Sequence, residues 1–157
     1  MTSTPQGRSP RPRPGGGPGE PERREIRVMV VDDHPMWREG VARDLEESGL
    51  RVVATAGTGT EALARFPAAR PDVVVLDLQI PAPNGVEVTA SMVRDNPAVR
   101  VLILSASGEQ QDVLDAVKAG ATGYLLKSAG LAEFLEALDQ ICQDGTAIDP
   151  VLGFSAE

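Results

Sequence analysis

The sequence predicts an α/β fold in which a single doubly wound sheet of five parallel strands is covered by five helices. The first observation is that apolar runs such as 73–76 (VVVL) lack polar alternation, which is typical of strands buried on both faces. The second is that these runs alternate with segments of helical period, as in parallel sheets with right-handed crossovers. The third is that aromatic residues make up only 3% of the chain, so branched aliphatic side chains must fill the core.

The local signals at the helix ends define most of the elements. Pro35 suits the first turn of the first helix, and Gly49 ends that helix. The second helix is short, and we expect it to stop before Pro67. In chain order, the predicted strands are 26–31, 52–56, 73–76, 99–104 and 122–126, and the predicted helices are 35–48, 60–66, 85–95, 110–119 and 131–143.

The second half of the chain carries similar signals. The sequence Pro-Ala-Pro-Asn-Gly at 81–85 has turn chemistry and precedes the third helix. Asn96 and Pro97 close that helix, Gly120 closes the fourth, and Asp144 and Gly145 end the fifth. The alternation of strand and helix is therefore complete from the first strand to the last helix.

Length and charge divide the chain of 157 residues into one domain with two tails. Residues 1–24 are rich in Pro, Gly and Arg and carry five Arg and two Glu, so we expect this N-terminal tail to be disordered. Residues 25–146 form the domain, and 147–157 form a C-terminal tail or the start of a linker. The formal net charge of −8 argues against a nucleic-acid-binding surface.

The compartment is predicted from what the sequence contains. Cys142 is the single cysteine, so no internal disulfide can form, and its helical spacing from apolar residues favours a buried thiol. No stretch reaches the length of a transmembrane span, and the N-terminus has no apolar core of a secretory signal. We therefore expect a cytoplasmic protein without a membrane partner.

Charged or polar side chains follow four of the predicted strands: Asp32, Asp33, Asp77, Ser105 and Lys127. The carboxyl ends of parallel strands meet at one edge of the sheet, where open α/β folds bind ligands. Carboxylate oxygens are the ligands that Mg²⁺ prefers, and a hydroxyl and an ammonium can bind a phosphoryl group. A carboxylate such as Asp77, after the middle strand, can act as a nucleophile on phosphorus.

These residues lie in motifs that together carry a family resemblance. The motifs are VVDDHP (30–35), DLQIPAPNG (77–85), LILSAS (102–107) and AGATGYLLK (119–127). The chain resembles the receiver domain of two-component response regulators over residues 26–145, most closely the branch whose full-length members end in a LuxR/NarL-type helix-turn-helix. The resemblance implies a flavodoxin-like strand order, 2-1-3-4-5.

The resemblance also implies a metal site and a phosphoryl acceptor. Asp77 would accept a phosphoryl group from a sensor histidine kinase. Asp32, Asp33 and Asp77 would hold Mg²⁺ together with the backbone carbonyl of Gln79. A protein of this kind assists its own modification, and we expect that it is not an enzyme acting on an external substrate.

Three further residues receive roles from the same resemblance. Lys127 and Ser105 would bind the phosphoryl group, and Ser105 and Tyr124 would carry the switch to an output surface. A homodimer through the last helices is the implied assembly. Ser128 stands where many receivers have Pro, and no helix-turn-helix pattern follows the domain. We therefore expect either a truncated chain or a single-domain receiver, without direct binding to nucleic acid.

Other functions are weighed against this interpretation. An aspartyl phosphohydrolase needs an acid/base carboxylate two residues after the nucleophile, where Gln79 stands. A flavodoxin-like cofactor binder needs a phosphate loop after the first strand, where Asp32 and Asp33 would repel a phosphate. A DNA-binding transcriptional regulator or a phosphorylation-independent interaction domain remains as an alternative. His34, the single histidine, is interpreted as a residue of the helix start, and Trp37 as a packing residue.

Overall fold

The computed structural model describes residues 25–144 and 147–148. The predictions for residues 1–24 and for the tail beyond Ile148 lie outside this part of the chain. The elements in chain order are β1 (Arg27–Val31), α1 (Pro35–Glu47), β2 (Arg51–Ala56), α2 (Gly59–Ala69), β3 (Val73–Asp77), α3 (Gly85–Asp95), β4 (Arg100–Ser105), α4 (Gln110–Ala119), β5 (Gly123–Leu126), α5 (Leu131–Asp144) and β6 (Ala147–Ile148).

The strands form one parallel sheet in the order β2-β1-β3-β4-β5-β6. The first five strands in sequence therefore have the order 2-1-3-4-5, and the predicted fold class is confirmed. The sixth strand was not predicted. Its two residues, Ala147 and Ile148, pair with Gly123 and Tyr124 of β5, and a strand this short has no periodicity that a sequence pattern could show.

Helices cover both faces of the sheet. In β3, Val73 and Val75 pack on the face covered by α1 and α5, whereas Val74 and Leu76 pack on the face covered by α2, α3 and α4. All four side chains are buried. This arrangement explains why the run at 73–76 has no polar residue, since each of these four side chains faces one of two apolar layers.

The second helix is longer than predicted. It continues through Pro67 and ends at Ala69, so the expectation that it would stop before the proline is wrong. Proline is compatible with helical φ and costs the hydrogen bond that its missing N–H would have donated. The continued turn buries Ala69, and Arg70, at φ 48°, ends the helix by donating its N–H to the Phe66 carbonyl at 3.1 Å.

The loop after β3 is held close to the strand end. Asn84 and Glu87 form a reciprocal capping box at the start of α3, with hydrogen bonds of 3.0 and 2.8 Å. Gly85 donates its N–H to the Leu78 carbonyl at 3.0 Å. A Cβ at Gly85 would lie 2.6 Å from Leu78 Cα and 2.9 Å from the Asp77 carbonyl oxygen. The glycine is therefore required for the close approach of this loop to β3.

Within the described residues, no helix has the length and apolar character needed to cross a membrane.

Candidate functional site

The carboxyl ends of β1, β3, β4 and β5 bring the predicted site residues together. Asp32 follows β1, Asp77 and Ser105 are the last residues of β3 and β4, and Lys127 follows β5. Backbone hydrogen bonds fix two of these positions, because the N–H of Asp32 donates to the Ala56 carbonyl at 3.1 Å and that of Lys127 donates to the Ser105 carbonyl at 2.8 Å. The convergence expected from the sheet topology is thus present.

Asp77 is the buried centre of the cluster, with 3% of its surface exposed. Its Oδ1 accepts a hydrogen bond from the Gln79 N–H at 3.1 Å, and its Oδ2 lies 3.3 Å from Lys127 Nζ. Burial raises the pKa of the Asp77 carboxyl above its ordinary value, and the nearby Asp32 charge raises it further. The Gln79 hydrogen bond and the Lys127 ammonium act in the opposite direction without cancelling the rise.

Lys127 is shared between two carboxylates. Its Nζ lies 2.8 Å from Asp32 Oδ2 and 3.3 Å from Asp77 Oδ2, and its side chain is 17% exposed. Burial alone would lower the pKa of Lys127, but the contacts with Asp32 and Asp77 outweigh this effect, and the pKa is raised. The ammonium is therefore charged at neutral pH and offsets part of the negative charge of the cluster.

The acidic end of β1 offers oxygen atoms suited to a divalent cation. Four ligand atoms lie within 4.8 Å of one another: one carboxylate oxygen from each of Asp32, Asp33 and Asp77, and a ring nitrogen of His34. Asp32 Oδ2 and Asp33 Oδ1 are buried; the first lies 2.8 Å from Lys127 Nζ, and the second lies 3.1 Å from His34 Nδ1. One ammonium does not neutralise three clustered carboxylates, and buried carboxylates are costly unless a cation compensates them, so the three aspartates fit Mg²⁺.

His34 is closer to this cluster than its interpretation as a helix-start residue suggested. It is the residue before α1, and its Nδ1 lies 3.0 Å from Asp32 Oδ1 and 3.1 Å from Asp33 Oδ1. Its backbone N–H also donates to Asp32 Oδ1 at 2.8 Å. The side chain is 68% exposed, and Mg²⁺ prefers oxygen to nitrogen ligands. The contacts indicate that His34 orients the two carboxylates.

Ser105 and Tyr124 are both buried on the β4 and β5 side of the cluster. The Ser105 hydroxyl donates to Gln79 Oε1 at 3.1 Å and accepts the Ser107 N–H at 3.0 Å. The Tyr124 hydroxyl donates to the Ser107 carbonyl at 2.7 Å. The structure therefore connects both residues to the loop that follows β4, and their switching roles stay predictions.

Sequence reasoning missed several contacts of the site. The ring of Trp37 lies under the Lys127 ammonium, 4.5 Å from Nζ to the ring centroid, although Trp37 was assigned to packing. Arg38 donates from Nη1 to the Asp32 backbone carbonyl at 2.7 Å. The one signal for both was their place in the first turn of the helix directly after the acidic pair. Gln79 was predicted to bind Mg²⁺ through its backbone carbonyl, and this role stays a prediction. The contact of its side chain with Ser105 was not predicted.

Comparison with known proteins supports the assignment that this geometry suggests. The family model described as "Response regulator receiver domain" matches residues 28–139. The chain belongs to this receiver family. Receivers accept phosphoryl groups in two-component signalling and bind Mg²⁺ at an acidic cluster of the kind formed by Asp32, Asp33 and Asp77.

Individual relatives agree with the family model. The receiver is 37% identical over 127 residues to the transcriptional regulatory protein DegU of Brevibacillus brevis, covering 80% of this chain and 54% of that protein. It is 38% identical over 125 residues to the DNA-binding transcriptional activator DevR/DosR of Mycobacterium tuberculosis, covering 79% of this chain and 58% of that protein. The chain thus spans little more than half the length of these curated relatives.

The fold agrees with solved receivers as well. A two-component response regulator of the LuxR family from Aurantimonas sp. SI85-9A1 is 38% identical and superposes with a TM-score of 0.78, covering 82% of this chain and 93% of that one.

Proposed function

We propose that this receiver takes a phosphoryl group on Asp77 from a phosphohistidine of a sensor histidine kinase, in a Mg²⁺-dependent reaction, and that the modification switches an output surface. The observation that carries the proposal is the environment of Asp77. Its carboxylate is buried at the end of the middle strand, close to the acidic pair Asp32 and Asp33, and it shares the Lys127 ammonium with Asp32. A purely structural role does not account for buried carboxylates that share one ammonium.

The residues divide the chemistry among them. A carboxylate oxygen of Asp77 forms the O–P bond while the N–P bond of the phosphohistidine breaks. The Gln79 N–H and the Lys127 ammonium hold the Asp77 carboxylate in place. Lys127 also supplies positive charge where the transferred group gains negative charge. Mg²⁺, held by Asp32, Asp33 and Asp77 with the Gln79 carbonyl, would neutralise further charge on the phosphoryl oxygens.

The switch follows from the contacts of Ser105. Its hydroxyl is bonded to Gln79 in the unmodified site, and it must leave that partner to donate to a phosphoryl oxygen. Because Ser107 donates to Ser105 and accepts from Tyr124, a movement of Ser105 changes the loop after β4 and the surface near β5. This is a local contact change that biases a two-state element.

The competing functions are less well supported. A phosphohydrolase with an external substrate needs an acid/base carboxylate where Gln79 stands, and the Gln79 side chain instead accepts from Ser105. We therefore propose that the receiver is not an enzyme on an external substrate. We also propose a cytoplasmic protein that acts on transcription, by analogy with the regulators named above, and homodimerisation through its last helices.

The test is the intact mass of the protein after incubation with acetyl phosphate. We expect one phosphoryl addition that requires Mg²⁺ and is absent in Asp77→Asn. Asp95→Asn is the matched control, because Asp95 is an exposed aspartate at the end of α3. If nothing is added, the receiver is a phosphorylation-independent interaction domain instead; if addition survives in Asp77→Asn, Asp77 is not the acceptor and the site is misassigned.

A further inference from the structure

We propose that Trp37 is a positioning residue for the phosphoryl transfer, because its indole ring holds the Lys127 ammonium at the point where it reaches both Asp32 and Asp77. This inference rests on the proposed function and assigns a role to a side chain outside the set of charged and polar site residues.

The contact joins distant parts of the fold. Trp37 lies in the first turn of α1, two residues after its first residue, whereas Lys127 follows β5. β5 is three positions from β1 in the sheet, so the lysine side chain must cross the ends of β4 and β3 to reach Asp32. The lysine side chain has four methylene groups and can adopt many other conformations. Its ammonium therefore stays at this position only if other contacts restrain it.

The ring supplies the restraint that the carboxylates lack. Asp32 and Asp77 attract the ammonium from two directions, at 2.8 and 3.3 Å. The Trp37 ring, 4.5 Å from Nζ to its centroid, contacts the ammonium as a third partner. A π face attracts a cation without taking up a directed hydrogen bond, so the N–H donors of Lys127 remain available to oxygen atoms. A carboxylate in place of the ring would compete with the phosphoryl group for these donors.

The alternative is that Trp37 only packs. It is partly buried against the cluster formed by α1, α5 and their face of the sheet, and any large apolar side chain could fill that space. The two roles differ in what replaces the indole. Positioning requires a π face, which Phe or Tyr retains and Leu or Met does not, whereas packing depends on volume and apolar surface.

Two measurements test the inference in the full chain. The first is the rate of phosphoryl uptake from acetyl phosphate with Mg²⁺, followed by intact mass. We expect Trp37→Leu and Trp37→Met to be about five- to thirtyfold slower than wild type, the range to which a partly desolvated cation–π contact corresponds. Trp37→Phe and Trp37→Tyr should stay within about threefold of wild type. Phe134→Leu is the matched control, because Phe134 packs in the same cluster from α5.

The second measurement needs no phosphoryl donor. Lys127 Nζ lies over the indole ring, so we expect the NMR signals of the adjacent Cε protons to be shifted upfield by the ring current in wild type, less so in Trp37→Phe, and not in Trp37→Leu. The melting temperature of each variant shows whether it folds. Two non-aromatic variants are included so that the test can still be made if one of them does not fold.

The results distinguish this inference from the proposed function. Slow uptake only in the non-aromatic variants, together with the loss of the ring-current shift, supports the positioning role. Equal rates for the Leu and Phe variants, or an equally slow Phe134→Leu, would overturn it while leaving phosphorylation of Asp77 intact. If wild type itself takes up no phosphoryl group, the proposed function fails and the inference fails with it.

Discussion

Replacing Asp77 by Asn should stabilise the protein at neutral pH in the absence of divalent cations. Asp77 is 3% exposed and Asp32 is 1% exposed, and both share the single Lys127 ammonium among the contacts described. The substitution removes one of two buried negative charges, while Lys127 keeps Asp32 at 2.8 Å and the new amide oxygen can still accept the Gln79 N–H. We expect the free energy of unfolding to rise by about 1–3 kcal/mol, because the substitution removes the penalty of burying a charge that is incompletely compensated.

The pH dependence gives this prediction its sign. The pKa of Asp77 is raised in the folded protein, first by burial and then by the Asp32 charge. A raised folded pKa means that the wild-type site is most stable below the unfolded pKa of about 4 and loses stability as the pH rises through the folded value. The asparagine variant has no such loss. The difference between the two proteins should therefore be small at acidic pH, grow with rising pH and then level off.

Urea unfolding at a series of pH values, with EDTA present, measures this difference. In a thermal unfolding experiment, each kcal/mol would correspond to roughly 4 °C in the melting temperature of a domain of this size. Asp95→Asn, at an exposed aspartate, controls for the general effect of removing a negative charge. A variant that is no more stable than wild type at pH 7, or a difference that shrinks as the pH rises, would refute the reasoning. Added Mg²⁺ should then stabilise wild type more than the variant, because Asp77 is one of its proposed ligands.

Two further predictions follow from contacts in the loops around the site. In chemical denaturation, Gly85→Ala should lower the free energy of unfolding by about 1–3 kcal/mol, because its Cβ would lie 2.6 Å from Leu78 Cα. Gly40→Ala is the control. Nothing lies within 4 Å of its added Cβ, so it should raise the free energy of unfolding by up to about 1 kcal/mol. Gln79→Ala removes the acceptor of the Ser105 hydroxyl at 3.1 Å, so the affinity for beryllofluoride, measured by titration with Mg²⁺, should rise about two- to tenfold; an unchanged or weaker affinity would show that this hydrogen bond does not oppose the modified state.

The convergence of the site residues could be predicted because it depends on backbone topology. A polar residue directly after an apolar run marks a strand end, and parallel strands place all such ends at one edge. This reasoning brought Asp32, Asp77, Ser105 and Lys127 together correctly. It needed no knowledge of any side-chain conformation.

The missed features depend on tertiary packing instead. Whether Trp37 faces Lys127 is decided by the distance between α1 and the end of β5 and by the rotamers that packing allows, and neither leaves a periodic signal in the sequence. Pro67 shows the same limit for secondary structure. The local rule that proline ends a helix was overridden because a further turn buries Ala69 against the core.

The contacts of the unmodified site indicate how small the energy of the proposed switch must be. Lys127 is already engaged by Asp32 and Asp77, and Ser105 is already engaged by Gln79. A phosphoryl group on Asp77 would therefore replace existing partners of Lys127 and Ser105 rather than give contacts to side chains that had none. The free energy available for switching is the difference between two sets of contacts, which is much smaller than either set alone. A difference of this size leaves both states accessible, so single substitutions at Gln79 should shift their populations measurably.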